Sequence, residues 1–370
     1  MLNLQSGARN LLENCAGLRA GQSLLILHED PTTGYYDPDL APALAQVAAS
    51  LGIRVELREV PFIPQALDPS PDLLEQMRAH DRTLFLSRIG DQLRFSAGMA
   101  DIHPVVSYAL DCDMLASGFG RAHHAAFVAL KNCLNAALSQ ARLIHVTCPL
   151  GTDFSGPGAV FPGEAGEVTV ARFPLSVFSP VPPAGFSGRI AQAGFLTGTG
   201  SNYYFPYNIP LDGVLFVTFQ DEHLTGFEGL AQDVARARAH YDAVGKKFGI
   251  KPDLIHSWHA GIHPGCAYHR SAGSNVERWG GSAFGNPRIL HFHTCGDYAP
   301  GEISINVIDP TISLDGIAVW ENGRLHPERV PGGAEILAQY PSAAAVFADP
   351  ASDIGLGPNG RLGLVTEQLT

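Results

Sequence analysis

Helical and extended signals alternate along the first part of the chain, from residue 1 to about residue 150. Short segments with apolar residues predict strands at 23–27, 53–57, 82–87 and 143–147, of which 23–27 is an apolar run typical of a buried strand. Apolar residues at helical spacing predict helices between these runs, at 4–18, 42–51, 73–80 and 127–142. Strands joined through helices usually pair in parallel, so this pattern predicts an open, mostly parallel sheet that is covered by helices.

The composition changes near Gly151, where two Gly-Pro turns follow at 156–158 and 161–163. Beyond them the sequence predicts short strands at 166–170, 214–218, 289–292, 303–308 and 317–320. It also predicts one long polar helix at 229–248. We therefore expect an α/β fold with two domains. Residues 1–152 form an N-terminal α/β sheet domain, and residues 153–370 form a mixed α+β domain that binds metal and carries out catalysis.

Composition and motifs exclude several classes of function. The chain has 36 acidic against 24 basic residues, a net charge of −12, so a nucleic-acid partner is not expected. No apolar stretch approaches the roughly 20 residues of a membrane helix, and the N-terminus lacks the pattern of a secretory signal, so we expect a cytoplasmic protein. The six cysteines form no CxxC pair, and GxSxG, HExxH, GxGxxG and P-loop motifs are absent.

Histidine carries the strongest functional signal, because six of the fifteen lie between His256 and His293. Residues two apart on a strand share a face, so His291 and His293 can point to one place, and His256 and His259 lie on a neighbouring predicted strand. Imidazole binds Zn, Fe, Mn and Cu, and two histidines with one carboxylate are the ligands of many oxygen-activating iron enzymes. The cluster therefore predicts a metal site.

A carboxylate would complete such a ligand set, and Glu167 is the first candidate. Other carboxylates stand behind it: Glu164, Glu277, Asp297, Glu302 and Asp309. Cys266 and Cys295 lie close to the histidines in sequence, but we interpret them as small buried apolar residues, because neither belongs to a spaced zinc-binding pair.

Several motifs, in this order, resemble those of the thermophilic metalloaminopeptidases. Residues 143–154 are similar to the strand and Gly-Thr-Asp turn that closes the family's N-terminal domain. Residues 161–168 are similar to its Gly-Glu-Val segment, whose metal-binding Glu corresponds to Glu167. Residues 257–264 resemble its Gly-x-Asn-Pro segment. Residues 290–296 resemble the strand that carries a His ligand, here His291.

The same superfamily contains the iron-dependent 2,5-dihydroxypyridine dioxygenases, and this chain departs from both branches. Ser304-Ile-Asn306 aligns with their His-x-Asp pair, and Ser257, with His256 and His259 beside it, aligns with a metal-binding Glu of the peptidases. Losing carboxylates and gaining histidines favours one metal over two. The resemblance also implies a homodimer.

These observations predict a mononuclear metalloenzyme, with Fe(II) favoured over Zn or Mn, that cleaves a small hydroxylated aromatic or heteroaromatic ring with O₂. The expected ligands are Glu167, His256, His259, His291 and His293. We expect His263, or His293 if it is not a ligand, to move a proton, and Tyr298 to donate a hydrogen bond to a developing oxyanion. The alternatives are a two-metal aminopeptidase or amidase and a non-catalytic descendant that binds no metal.

Overall fold

The fold was analysed in a computed structural model, which describes residues 2–63, 69–93, 96–99, 101–161, 170–199, 203–296 and 301–364. Its chain divides into two compact units. Unit 1 contains Met1–Val128, Pro162–Leu175 and Tyr340–Asp349, and unit 2 contains Ala129–Phe161, Ser176–Gln339 and Pro350–Thr370. The boundary at residue 152 stays a prediction about where the domains part. No helix in the described residues is both long and apolar enough to cross a membrane.

Strands and helices are numbered in chain order. The strands are β1 Ser23–Glu29, β2 Arg54–Val60, β3 Arg82–Leu86, β4 Val105–Ser107, β5 Ile144–Thr147, β6 Asp153–Gly156, β7 Ala171–Phe173, β8 Ser187–Thr197, β9 Asn208–Gln220, β10 His223–Glu228, β11 Ile255–Ala260, β12 Ile289–Cys295, β13 Glu302–Ile308, β14 Thr311–Leu314, β15 Ile317–Glu321 and β16 Arg324–Leu325. The α-helices are α1 Leu2–Arg9, α2 Leu40–Ser50, α3 Pro71–Arg78, α4 Ile89–Gln92, α5 Cys112–Ala116, α6 Gly118–Arg121, α7 His124–Gln140, α8 Ala231–Phe248, α9 Val276–Gly280, α10 Gly333–Gln339 and α11 Pro341–Ala348.

Unit 1 is built on a parallel sheet of five strands in the order β2-β1-β3-β4-β7. Strand β1 shows why this sheet is covered on both faces. Leu24 and Ile26 pack into one apolar cluster, whereas Leu25 and Leu27 pack into another. A strand buried on both faces appears in the sequence as a continuous apolar run. The predicted parallel α/β sheet is therefore confirmed.

Local signals set the limits of several helices in both units. Helix α3 begins where Ser70 Oγ accepts a hydrogen bond from the Leu73 amide, with Pro71 at the first helical position. Helix α8 ends at Gly249, which has a left-handed φ of 69°. The helix predicted over 4–18 changes at Asn10 into a π-helical segment, where Asn10 Nδ2 donates to the carbonyls of Gly120 and Ala122.

Unit 2 is built on an antiparallel sheet of eleven strands, in which β11, β12, β13 and β8 are successive neighbours. Strand β5 pairs antiparallel with β6 and β14 in this sheet. The prediction that the strand at 143–147 continues the parallel sheet is therefore wrong. The apolar run that predicted β5 carries no information about which sheet the strand joins.

One face of the larger sheet supports an aromatic core. Trp258 on β11 and Phe292 on β12 are opposite each other, and both contact Phe154 on β6 with ring centroids 5.6 and 5.3 Å apart and nearly perpendicular rings. Edge-to-face packing of this kind is favourable for aromatic rings. Side chains alternate between the faces of a strand, so the residues next to Trp258 and Phe292 point to the other face.

Helix α8 carries a buried histidine that predicts acid sensitivity. Burial lowers the pKa of His240 from 6.5 to about 4, and its Nε2 has no hydrogen-bond partner in the described part of the chain. The unfolded chain therefore takes up a proton between pH 6.5 and 4 that the folded chain does not. The contribution of His240 to the free energy of unfolding is therefore fully present above this pH window. It falls within the window, by about 2 kcal/mol between pH 7 and 5.

We expect His240→Leu to remove about 2 kcal/mol of the pH 7-to-5 decrease in unfolding free energy. Urea denaturation of both proteins at the two pH values measures this difference. An equal decrease in the variant and in the natural protein would show that His240 is not a source of the acid sensitivity.

Candidate metal centre

Three buried histidines meet on the face of the sheet opposite the aromatic core. In the register of β11 and β12, His259 is directly opposite His291, and His293 follows two residues later on the same face. Their relative exposures are 5%, 3% and 7%. The alternation of each strand therefore places the aromatic residues on one side and the imidazoles on the other.

The three imidazoles converge through their Nε2 atoms. His259 Nε2 lies 2.7 Å from His291 Nε2 and 3.1 Å from His293 Nε2. All three side chains offer a ligand atom within 4.8 Å of one another. Two nitrogens that bind the same metal ion at about 2.1 Å, with a nitrogen–metal–nitrogen angle of about 90°, are about 3.0 Å apart. The observed spacing fits this arrangement.

The other ring nitrogens of two of these histidines face hydrogen-bond acceptors. His259 Nδ1 is 3.2 Å from the Phe178 carbonyl oxygen. His293 Nδ1 is 2.9 Å from Oε1 of the buried Glu302. Where an acceptor holds the ring proton on Nδ1, a lone pair is left on Nε2. With both rings in this form, the Nε2 lone pairs of His259 and His293, 3.1 Å apart, repel each other unless a cation lies between them, so the residues fit a divalent metal.

Strand β13 extends the polar face beside the triad. Asn306 lies opposite His291 and Ser304 lies opposite His293. Ser304 Oγ is 3.1 Å from Asn306 Oδ1, and Asn306 Nδ2 is buried with no hydrogen-bond partner in the residues that the structure describes. A buried amide with unused hydrogen-bonding capacity beside a metal site can bind a ligand oxygen.

Aromatic rings enclose the triad on two sides. The ring of Phe284 stacks on His291 at 4.2 Å between centroids and 28° between planes. The ring of Phe178 meets His259 nearly at a right angle, with centroids 6.2 Å apart. Such surroundings lower the local dielectric constant and strengthen electrostatic interactions at the centre.

The structure brings together three of the five predicted ligands. His256 is not part of the group, because the register of β11 shifts between Ile255 and Ser257 and His256 Nε2 lies 2.9 Å from the Cys295 carbonyl oxygen. Glu167 and the predicted catalytic Tyr298 fall outside the described residues, as do Glu164 and Asp297.

His263 is fully buried, and its Nδ1 accepts a hydrogen bond from the Gly265 amide at 3.2 Å. It is not one of the three histidines whose ligand atoms converge. Its catalytic role therefore stays a prediction.

The cysteines near the cluster behave as buried apolar groups. Burial raises the pKa of both Cys266 and Cys295 to about 12. Their thiols are therefore protonated at neutral pH in the metal-free chain, and neither sulfur is among the three ligand atoms that converge.

From the sequence, Asn306 was aligned with a position of the family's His-x-Asp pair but was given no role, and Glu302 was only one carboxylate among several. A signal for both was present, because the strand Glu302–Ile308 carries polar residues at alternate positions, Glu302, Ser304 and Asn306, within an apolar run. A polar stripe of period two on an otherwise buried strand indicates a buried polar surface.

No protein-family model and no curated protein matches the sequence. Among solved structures, the chain is similar to the 2,5-dihydroxypyridine dioxygenase of Pseudomonas putida KT2440, with a TM-score of 0.58, 16% identity and coverage of 87% of this chain and 96% of that one. It also aligns with AmpT of Thermus thermophilus, with a TM-score of 0.47, 12% identity and coverage of 88% and 99%. The chain thus has the fold of the dioxygenase, as its motifs predicted.

Proposed function

We propose that this protein is a mononuclear metalloenzyme, with Fe(II) as its metal, that cleaves a small hydroxylated aromatic or heteroaromatic ring with O₂. The observation that carries the proposal is the convergence of three buried Nε2 atoms on one point. The similar fold of an enzyme named as a 2,5-dihydroxypyridine dioxygenase supports the reaction class.

A bound iron ion would supply the redox chemistry for the reaction of the substrate with O₂. The residues of the protein would bind and orient this metal ion. His259, His291 and His293 provide three neutral ligands. The Phe178 carbonyl keeps the proton of His259 on Nδ1, because it lies 3.2 Å from that nitrogen.

Asn306 is proposed to position the substrate. Its amide lies on the face that carries His291 and is held by Ser304. A hydrogen bond from Nδ2 to a substrate oxygen would satisfy a buried donor and stabilise negative charge there. The ring of Phe284, which stacks on His291, would exclude water from that imidazole.

Oxygen uptake tests the proposed reaction. The protein would be loaded with Fe(II) without air and mixed with dihydroxypyridines, catechols and single-hydroxyl phenols in separate reactions. We expect consumption of O₂ and loss of the ring absorbance with at least one ortho- or para-dihydroxylated ring. Release of amino acids from peptides without O₂ uptake would contradict the proposal and support an aminopeptidase.

Replacement of Asn306 should lower kcat/KM for the substrate without loss of bound metal. We expect Asn306→Ala to lower kcat/KM by about 100- to 1,000-fold, the range for removing one oxyanion donor. Metal content is expected to stay equal to that of the natural protein, because Asn306 is not among the converging ligands. Steady-state kinetics and metal analysis of one preparation measure both, and an unchanged kcat/KM would exclude this role.

A further inference from the structure

The carboxylate of Glu302 is buried next to the candidate metal centre, and its oxygens have no hydrogen-bond partner among the described residues. Its side chain is 1% exposed, and Oε1 lies 2.9 Å from His293 Nδ1. Neither carboxylate oxygen, nor His293 Nδ1, makes a hydrogen bond of regular geometry within the described residues. Leaving three such buried atoms unsatisfied is costly, so their closeness requires an explanation.

The backbone around Glu302 is held in place. Glu302 pairs with Cys295 across β12 and β13, and its carbonyl oxygen accepts a hydrogen bond from the Tyr204 hydroxyl at 2.6 Å. Burial raises the pKa of Tyr204 well above its ordinary value, so this hydroxyl remains a donor. The backbone of Glu302 is thus anchored, and its carboxylate lies beside His293 Nδ1, the ring nitrogen that is not one of the converging Nε2 atoms.

We propose that Glu302 is a positioning residue that accepts the Nδ1 proton of His293 and thereby sets this imidazole as a metal ligand. A metal at Nε2 requires the ring proton on Nδ1, and Glu302 is the acceptor within reach of that nitrogen. A carboxylate behind the histidine also makes the imidazole a stronger ligand. The inference rests on the proposed metal centre and adds a determinant of its affinity.

The position of Glu302 also explains how three neutral histidines can serve as the ligand set. The centre has no carboxylate among its three converging ligands in the described residues. Glu302 supplies a carboxylate that contacts the His293 ring and would act on the metal through that ring.

Metal titration of two Glu302 variants tests the proposal. Co²⁺ alone is titrated into metal-free protein, and its absorption reports binding. We expect Glu302→Leu to bind Co²⁺ about 10- to 100-fold more weakly than the natural protein, as is typical when the outer partner of a ligating histidine is lost. Glu302→Gln should lose less, because its amide oxygen can still accept the Nδ1 proton.

Thermal unfolding of the metal-free proteins separates positioning from a structural role. The carboxylate makes no regular hydrogen bond in the described structure, so Glu302→Leu should not lower the unfolding temperature of the metal-free form. Thr294→Val is the matched control. Its hydroxyl contacts Tyr241 Oη and the Ile303 carbonyl, and its side chain points away from the histidines, so this variant should lose stability and keep Co²⁺ affinity.

The outcomes distinguish failure of this inference from failure of the metal centre. If the natural protein binds Co²⁺ and Glu302→Leu binds it equally well, Glu302 is not a positioning residue, although the centre stands. If the natural protein binds no Co²⁺, the centre itself is wrong. Long-range ¹H–¹⁵N spectra of the Zn²⁺-loaded protein should place the proton of His293 on Nδ1, and a proton on Nε2 would overturn the proposal.

Discussion

Protein carrying His291→Ala is expected to lose its metal and its oxygen consumption. Each of the three histidines supplies one Nε2 to the same point, and His291 Nε2 is 2.7 Å from that of His259. Loss of an outer partner alone weakens metal binding by about 10- to 100-fold, so loss of a ligand should exceed about 100-fold. Elemental analysis after gel filtration and Fe(II)-dependent O₂ uptake measure the two effects.

His256→Ala is the matched control for this variant. His256 lies on the strand that carries His259, but its Nε2 is directed to the Cys295 carbonyl oxygen. We expect this variant to keep its full metal content and activity. His291→Gln supplements the alanine variant, because a larger side chain fills more of the space beside Phe284 while it removes the imidazole. Full metal content in both His291 variants would contradict the assigned centre.

A large loss of stability is expected from Glu29→Leu in unit 1. The Arg88 guanidinium contacts the Glu29 carboxylate at 3.0 Å, with side-chain exposures of 6% and 1%. The variant leaves the guanidinium buried without this partner, which costs about 3–5 kcal/mol. Hydrogen exchange of the β1 and β3 amides is the suitable measurement, because it reports the opening of this sheet separately from unit 2.

The double variant Glu29→Leu/Arg88→Met controls for this loss. It removes both charges and keeps apolar volume, so exchange protection should return to within about 1–2 kcal/mol of the natural protein. Arg88 also lies over the Phe62 ring at 3.7 Å, a contact that a methionine side chain can replace in part. A single variant as stable as the natural protein would show that water or another group solvates Arg88.

The fold was predictable where the sequence of a single strand reflects its surroundings. The apolar run of β1 was enough to predict a strand in a covered parallel sheet, because burial on both faces requires apolar residues at successive positions. For β5 the run of 143–147 predicted a strand but not its partners, since pairing in the antiparallel sheet depends on β6 and β14, which come later in the chain. Local signals thus indicate elements, and distant contacts decide topology.

The candidate site followed the same division. His291 and His293 were predictable as a pair from the two-residue period of a strand. The choice between His256 and His259 was not, because a shift of register within β11 decides which of them faces β12 on the side of the triad. Glu302 becomes significant only when the pairing of β12 and β13 places it beside His293.

Metal content per chain tests the central claim most directly. Protein purified without chelators would be analysed for all first-row transition metals, with and without anaerobic loading by Fe(II). We expect one metal atom per chain after loading, bound by His259, His291 and His293. Two atoms per chain would contradict a mononuclear centre, and none would show that the three histidines are structural.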